Sequence, residues 1–121
     1  MLVDTSVWID HLQLCDSALA TALEQGRVQM HPYVVGELAC GNITNRAEVL
    51  GLLGALPAVP TATHDEVMDF IERRDLMGRG LGYVDVHLLA SVFLQRTRLW
   101  TRDKRLARVA VKLEVAFTKE T

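Results

Sequence analysis

Four acidic residues in this chain of 121 stand out from their surroundings. Asp4 directly follows the apolar run Met1-Leu2-Val3, and Glu37 falls between Gly36 and Leu38 in a mostly apolar stretch. Asp85 heads the apolar stretch Val84 to Val92, and Asp103 lies in the most basic part of the chain. Carboxylates brought close together repel one another and raise each other's pKa unless a divalent cation offsets their charge. Mg2+ or Mn2+ takes oxygen ligands and usually keeps some waters, so three or four carboxylates suit phosphodiester hydrolysis, the cation activating a water and offsetting charge on the phosphate. Each acid also has a plainer reading. Asp4, Asp85 and Asp103 are of the type that caps helices, which needs no cation, and Glu37 could be an exposed helical carboxylate. Spacing alone leaves open whether the four meet.

The elements that must carry these residues follow from periodicity and punctuation. Met1-Leu2-Val3 reads as a short strand ended by the capping types Asp4-Thr5-Ser6, after which Val7, Trp8, Ile9 and Leu12 keep helical spacing. A second helix spans Ser17 to Gln25 and stops at Gly26, before a short strand over Arg27-Val28-Gln29-Met30. Pro32 suits the first turn of the helix that holds Glu37 and ends at Gly41-Asn42, and another helix covers about Arg46 to Leu56. Pro57 and Pro60 bracket a small strand or its remnant at Ala58-Val59. Thr63-His64-Asp65-Glu66 has the form of a capping box opening a helix to about Met77. The glycine-rich Gly78-Arg79-Gly80-Leu81-Gly82 breaks it, and Val84, Leu88, Leu89 and Val92 form the stripe of the next helix, with Asp85 at its entry. Leu99-Trp100-Thr101 is strand-like and runs into Arg102-Asp103, a short basic helix follows, and Leu113 to Phe117 closes as a last or edge strand. Alternation of short strands and helices implies an α/β fold, a parallel sheet covered on both faces. Residues just past the carboxyl ends of such strands converge on one crevice, which would bring Asp4 and Asp103 together with Glu37 and Asp85 at the rim.

Composition bounds the rest. One compact domain accommodates residues 1–121, and no stretch approaches the roughly 20 apolar residues of a membrane helix. A soluble, cytoplasmic protein with no membrane partner is expected, with Cys15 and Cys40 as buried thiols of no assigned function. Net charge is only −2, but Arg96 to Lys112 holds seven of the thirteen basic residues around the single acid Asp103.

The ordered set Leu2-Val3-Asp4-Thr5-Ser6-Val7-Trp8-Ile9-Asp10, Gly36-Glu37-Leu38, Val84-Asp85-Val86-His87-Leu88-Leu89-Ala90 and Leu99-Trp100-Thr101-Arg102-Asp103-Lys104 resembles the PIN-domain ribonucleases, in particular the VapC-type toxins of toxin–antitoxin systems. The resemblance implies a three-layer α/β/α domain with about five parallel strands and a Mg2+- or Mn2+-dependent endoribonuclease. It also implies metal-binding catalytic carboxylates at Asp4, Glu37, Asp85 and Asp103, and supporting hydroxyls at Thr5, Ser6 and Thr101. Expected partners are an RNA substrate, a VapB-type antitoxin laid across the active groove, and a second copy in a homodimer. Arg102, Lys104 and Arg105 are the candidate contacts to RNA phosphates, with Arg73, Arg74 and Arg79 as weaker ones; a solvated helix face is the plain alternative. Trp8 would line the groove, the dimer contact or the core, and His87 reads as a helix-face histidine at the rim. Two other classes compete. A phospho-acceptor receiver domain needs paired acids after the first strand and a lysine after the last, which are missing here. A PIN-like domain that only binds RNA or protein would not need all four acids. The glycines at 78, 80 and 82 lack dinucleotide-binding spacing and follow a helix, so they read as a loop.

Overall fold

The computed structural model describes residues 1–118. At its centre β1 (Leu2–Val3) pairs in parallel with β2 (Leu99–Trp100), in the register Leu2 to Leu99 and Val3 to Trp100. Single parallel bridges extend this pair on both sides, from Leu2 to Gln29, from Met30 to Ala58 and from Leu99 to Ala116. Successive strand residues point to opposite faces, and Leu2, Val3, Leu99 and Trp100 are all buried, so both faces of the ribbon are covered.

The expected count of about five strands is met only in part. Five chain segments lie side by side, but among the described residues only β1 and β2 pair over more than one residue. The reason is local. Met30 runs at once into His31, which caps the next helix, and the prolines at 57 and 60 have no N–H to lend a ladder around Ala58.

Seven helices, α1 (Thr5–Leu14), α2 (Ser17–Glu24), α3 (Pro32–Ala39), α4 (Arg46–Gly54), α5 (His64–Arg74), α6 (Tyr83–Leu94) and α7 (Lys104–Lys112), surround the ribbon among the described residues. Their starts follow the sequence signals: Asp4 caps α1, Asp16 caps α2, Pro32 opens α3, and Thr63 with Glu66 forms the capping box of α5. α5 ends three residues before Met77 because Asp75 turns left-handed at φ 56°. α6 is buried all round from Val86 to Val92, as suits a helix lodged in the core rather than lying on it. α1 packs on α3, α3 on α4, and α5 on α6.

Two expectations are corrected. Cys15 and Cys40 are exposed, not buried, because each sits at the C-terminal end of a helix where the chain turns outward. His87 is buried beneath neighbouring rings instead of standing at a rim. Of the places open to Trp8, the structure gives it the core. No helix among the described residues is long and apolar enough to cross a membrane.

Candidate metal centre

The register of β1 and β2 sets the site. Val3 opposite Trp100 brings Asp4 beside Thr101, and the Asp4 N–H donates to the Trp100 carbonyl at 2.9 Å. Asp4 is only 6% exposed, so its carboxylate needs donors. One of its oxygens, Oδ2, receives the Ser6 hydroxyl at 2.7 Å, the Thr101 hydroxyl at 2.8 Å and, weakly, the Ser6 N–H at 3.4 Å. Each hydroxyl has a single proton, so both are committed to Asp4, and the 3.3 Å approach between the two oxygens is not a further bond. As acceptors the same hydroxyls fix the next turn: Ser6 Oγ takes the Arg102 N–H at 3.0 Å and Thr101 Oγ1 the Asp103 N–H at 3.1 Å. Thr5 likewise donates to Glu37 Oε1 at 2.7 Å, so each of the three hydroxyls bonds one of the expected carboxylates.

Asp103 caps α7 through Oδ1, which accepts the Leu106 N–H at 3.0 Å, and Asp85 accepts the Gly82 N–H at 3.1 Å through Oδ2. The capping reading of these aspartates is therefore correct, yet it does not exclude the other. Each of the four carboxylates uses one oxygen to fasten itself to the protein and leaves its second oxygen without a donor among the described residues. The Asp85 carboxyl is raised above its ordinary value, chiefly by burial; the Gly82 N–H pulls it down in part, and the negative charges of Asp4 and then Asp103 add smaller pushes upward. Asp4, Asp85 and Asp103 therefore share one field. The four are not drawn into a tight cluster: among the described residues no three acidic, histidine or cysteine side chains stand close enough to clasp an ion as they are. Their chemistry, free hard oxygens in mutual repulsion, fits a divalent cation of the Mg2+ or Mn2+ kind.

A sequence model of the PIN domain matches residues 1–112. The chain belongs to the PIN-domain family. This PIN domain is 50% identical, over 99% of its length and 98% of the relative's, to the protein named Ribonuclease VapC32 in two strains of Mycobacterium tuberculosis, CDC 1551 / Oshkosh and ATCC 25618 / H37Rv. That places it with the VapC-type members of the family. The crystal structure of PAE2754 from Pyrobaculum aerophilum superposes with a TM-score of 0.60 over 98% of this PIN domain and 88% of its own chain; at 18% identity the likeness concerns the fold alone.

Of the three cations expected to meet RNA, the structure leaves two available. Arg102 is engaged elsewhere: its guanidinium bonds Asp10 at 2.6 Å and also Asp16, tying the end of β2 to α1 and to the α2 cap. Each of its terminal nitrogens donates to one of those carboxylates, which sets it apart from the two cations that make no ion pair. Lys104 and Arg105 are exposed in the first turn of α7 and make no ion pair among the described residues. Arg105 lies across the glycine loop before Asp85, where Gly80 at φ +75° leaves room that a Cβ would take, 3.0 Å from Arg105 Cδ.

Sequence reasoning missed a second group of side chains in this PIN domain, rings brought together from the α3, α5 and α6 segments. His31 is fully buried and caps α3, Nδ1 accepting the Tyr33 N–H at 3.1 Å. Its proton therefore sits on Nε2, facing Ser91 Oγ at 3.3 Å. Burial, and then the neighbouring His87, pushes its pKa down to about 4. His87 is likewise pushed down, chiefly by burial, so both imidazoles are neutral near pH 7. Rings of Tyr33, Tyr83 and His64 complete the group. Its only signal in the sequence is the four-residue spacing of Tyr83 and His87, which sets both on one helix face.

Proposed function

We propose that this PIN domain, read as a single unit over residues 1–121, is a Mg2+- or Mn2+-dependent endoribonuclease and the toxin of a toxin–antitoxin pair. Its metal ligands and catalytic residues would be Asp4, Glu37, Asp85 and Asp103. The observation that carries the reading is that carboxylates from four separate stretches each keep one oxygen free, with Asp85 under the field of two others. Support for RNA as the substrate comes from a relative 50% identical over almost the whole chain whose name is Ribonuclease VapC32. A bound Mg2+ or Mn2+ supplies an activated water and positive charge against the phosphate.

The chain's own residues do the rest. Ser6 and Thr101 hold Asp4 by one oxygen, and Thr5 holds Glu37 in the same way. The N-terminus of α7, with Lys104 and Arg105 exposed on its first turn, offers positive charge to the phosphates of the strand. A VapB-type antitoxin and a second copy in a homodimer are proposed as partners on the strength of the VapC relationship.

The test is cleavage of structured RNA by purified, antitoxin-free protein. Mg2+ or Mn2+ should support it, while EDTA and Asp4→Asn should each abolish it. Absence of cleavage with either ion, in protein shown to be folded, would sink the reading in favour of a PIN-like domain that only binds.

A further inference from the structure

The basic segment from Arg96 to Lys112 is divided by β2. Lys104 and Arg105 lie past the carboxyl end of that strand, beside Asp103, whereas Arg96 and Arg98 precede its amino end. Because β1 and β2 run parallel, their amino ends face one way, and Asp4 and Asp103 follow the ends that face the other. A strand rises about 3.3 Å per residue, so roughly 10 Å separates Arg98 from Thr101 along the line of β2. Arg96 and Arg98 therefore serve something other than the carboxylates.

The strand pairing gathers a third cation beside them. The Leu2 N–H donates to the Arg98 carbonyl at 2.8 Å and the Met1 nitrogen to the Arg27 carbonyl at 2.6 Å, which sets Arg98 and Arg27 on either side of β1. Thr97 Oγ1 donates to Gln29 Oε1 at 2.7 Å and fastens the turn that carries Arg96 to the Arg27 segment. With Met1, Thr97 and Phe117, the three arginines line an open hollow of about 410 Å3. All three are exposed, no acid lines the hollow among the described residues, and none of the three makes an ion pair there. Their bonds go to neutral acceptors: Arg27 Nε donates to the Gln25 side chain at 2.7 Å and Arg98 Nη1 to the Ala116 carbonyl at 3.3 Å. Glu114 lines an adjoining cavity that Arg96 and Arg98 share.

Cations crowded round one hollow repel one another, and a bound anion relieves that repulsion. The planar fork of a guanidinium matches the oxygens of a phosphate. Phe117 adds a half-buried ring beside the arginines, and cations next to a ring suit a nucleic-acid strand better than an acidic protein segment.

We infer that Arg27, Arg96 and Arg98 hold phosphate groups of an RNA at the end of the sheet away from the carboxylates, outside the linkage that is cut. One phosphate does not reach both ends, so the contact is made only by an RNA large enough to pass from one to the other. The inference rests on the ribonuclease reading above and adds to it a second, non-catalytic contact.

The test measures binding apart from cleavage. In an Asp4→Asn background, a labelled folded RNA and a short oligoribonucleotide are each titrated by anisotropy over a range of salt. Arg27→Gln, Arg96→Gly and Arg98→Gln are compared singly and together; glycine adopts the φ of 54° at position 96 without strain, so that variant loses the guanidinium and keeps the fold. Each lost phosphate contact should lower the slope of log affinity against log salt by roughly 0.7–0.9, and weaken folded RNA by about 5- to 8-fold at about 0.1 M salt. The short strand should bind as it does to the parent. Arg73→Gln removes the same charge from a side chain that is ion-paired with Asp69 and lines neither cavity, and should leave the slope unchanged. With Asp4 restored, the triple variant should raise KM for folded RNA and keep kcat. Thermal melts of each variant guard against loss of fold.

The site is refuted if the three substitutions leave the slope for folded RNA as it was, if Arg73→Gln lowers it equally, or if the short strand is weakened as much. Pyrophosphate binding that depends on the arginines while RNA binding does not would assign the hollow to free phosphates and overturn its place in RNA binding. Arginine-dependent RNA binding without metal-dependent cleavage by the unsubstituted protein would overturn the catalytic reading and keep the site. Cleavage of folded RNA that ignores the arginines would do the reverse, and no RNA binding at all would overturn both.

Discussion

Replacing Thr101 by valine removes one hydroxyl and little else, and the structure specifies what that hydroxyl does. It donates to Asp4 Oδ2 at 2.8 Å and accepts the Asp103 N–H at 3.1 Å, so it joins the first and last carboxylates of the proposed site. A hydrogen bond to a charged group contributes about 1.5–3 kcal/mol. Thr101 is only half-buried, so water replaces part of it, and Thr101→Val should destabilise the fold by roughly 1–2 kcal/mol. In a domain of this size that lowers Tm by roughly 4–8 °C. Ser6 still holds the same oxygen at 2.7 Å, so Asp4 is loosened rather than released. Activity or ion affinity should therefore fall toward the lower end of the roughly 10–100-fold typical when a support of a metal ligand is lost. Thr101→Ser should restore both, and adding Ser6→Ala to Thr101→Val should cost more than the sum of the two, because the 6% exposed carboxylate then has no hydroxyl donor. Urea unfolding in EDTA gives the stability, and single-turnover cleavage titrated with Mg2+ gives the ion dependence. If Thr101→Val matches the parent in both, or Thr101→Ser is as impaired as valine, the hydroxyl does not position Asp4.

Four further outcomes follow from the same geometry. The native Asp85 carboxyl holds its proton more tightly than the unfolded one, so its contribution to stability is present at acid pH and is lost as pH rises through the raised value. Asp85→Asn should accordingly raise Tm at pH 7 in EDTA, with the gain vanishing below the ordinary carboxylate range, and should blunt the stabilisation that Mg2+ gives the parent. His31, depressed to about 4, resists protonation only when folded, so its contribution is complete above pH 6.5 and is lost as pH falls from there toward 4. The difference is of order 3 kcal/mol, and His31→Asn, which retains a capping side chain, should flatten that part of the stability–pH curve. Arg102→Ala should lower stability by about 1–2 kcal/mol in urea, with lysine restoring less than half because a single ammonium does not match the two forks engaged by Asp10 and Asp16. Gly80→Ala places a Cβ at φ +75° and against Arg105, and should cost about 1–2 kcal/mol in the same assay.

Much of the local structure was legible because its causes are local. Asp4, Asp16 and Thr63 mark helix starts by offering a side-chain oxygen to N–H groups two or three residues on, and Pro32 and Gly26 mark a start and a stop by their own backbone limits. The helices before and after Pro57 were readable for the same reason. Strand content was not, since a ladder depends on distant partners: Arg27 to Met30 and Leu113 to Phe117 look like strands, yet each contributes only single bridges. The cysteines were misjudged from residue type alone, where a helix end decides exposure.

The sequence by itself singled out the residues proposed to carry the chemistry, the four acids and the three hydroxyls expected beside them, because type and motif order mark them without coordinates. Asp85 and Asp103 are fastened by N–H groups three residues away, but that Thr101 holds Asp4 was decided only by the β1–β2 register, a pairing of residues almost a hundred positions apart. The same holds for the cations and rings. Arg102 looked as available as Lys104 until Asp10 and Asp16 were found to fill its guanidinium, and Tyr33, Tyr83 and His87 became neighbours only when α3 met α6. Residue chemistry is a property of each position, whereas the partner that engages or frees it comes from chain segments far away in sequence, which only the packed structure brings together.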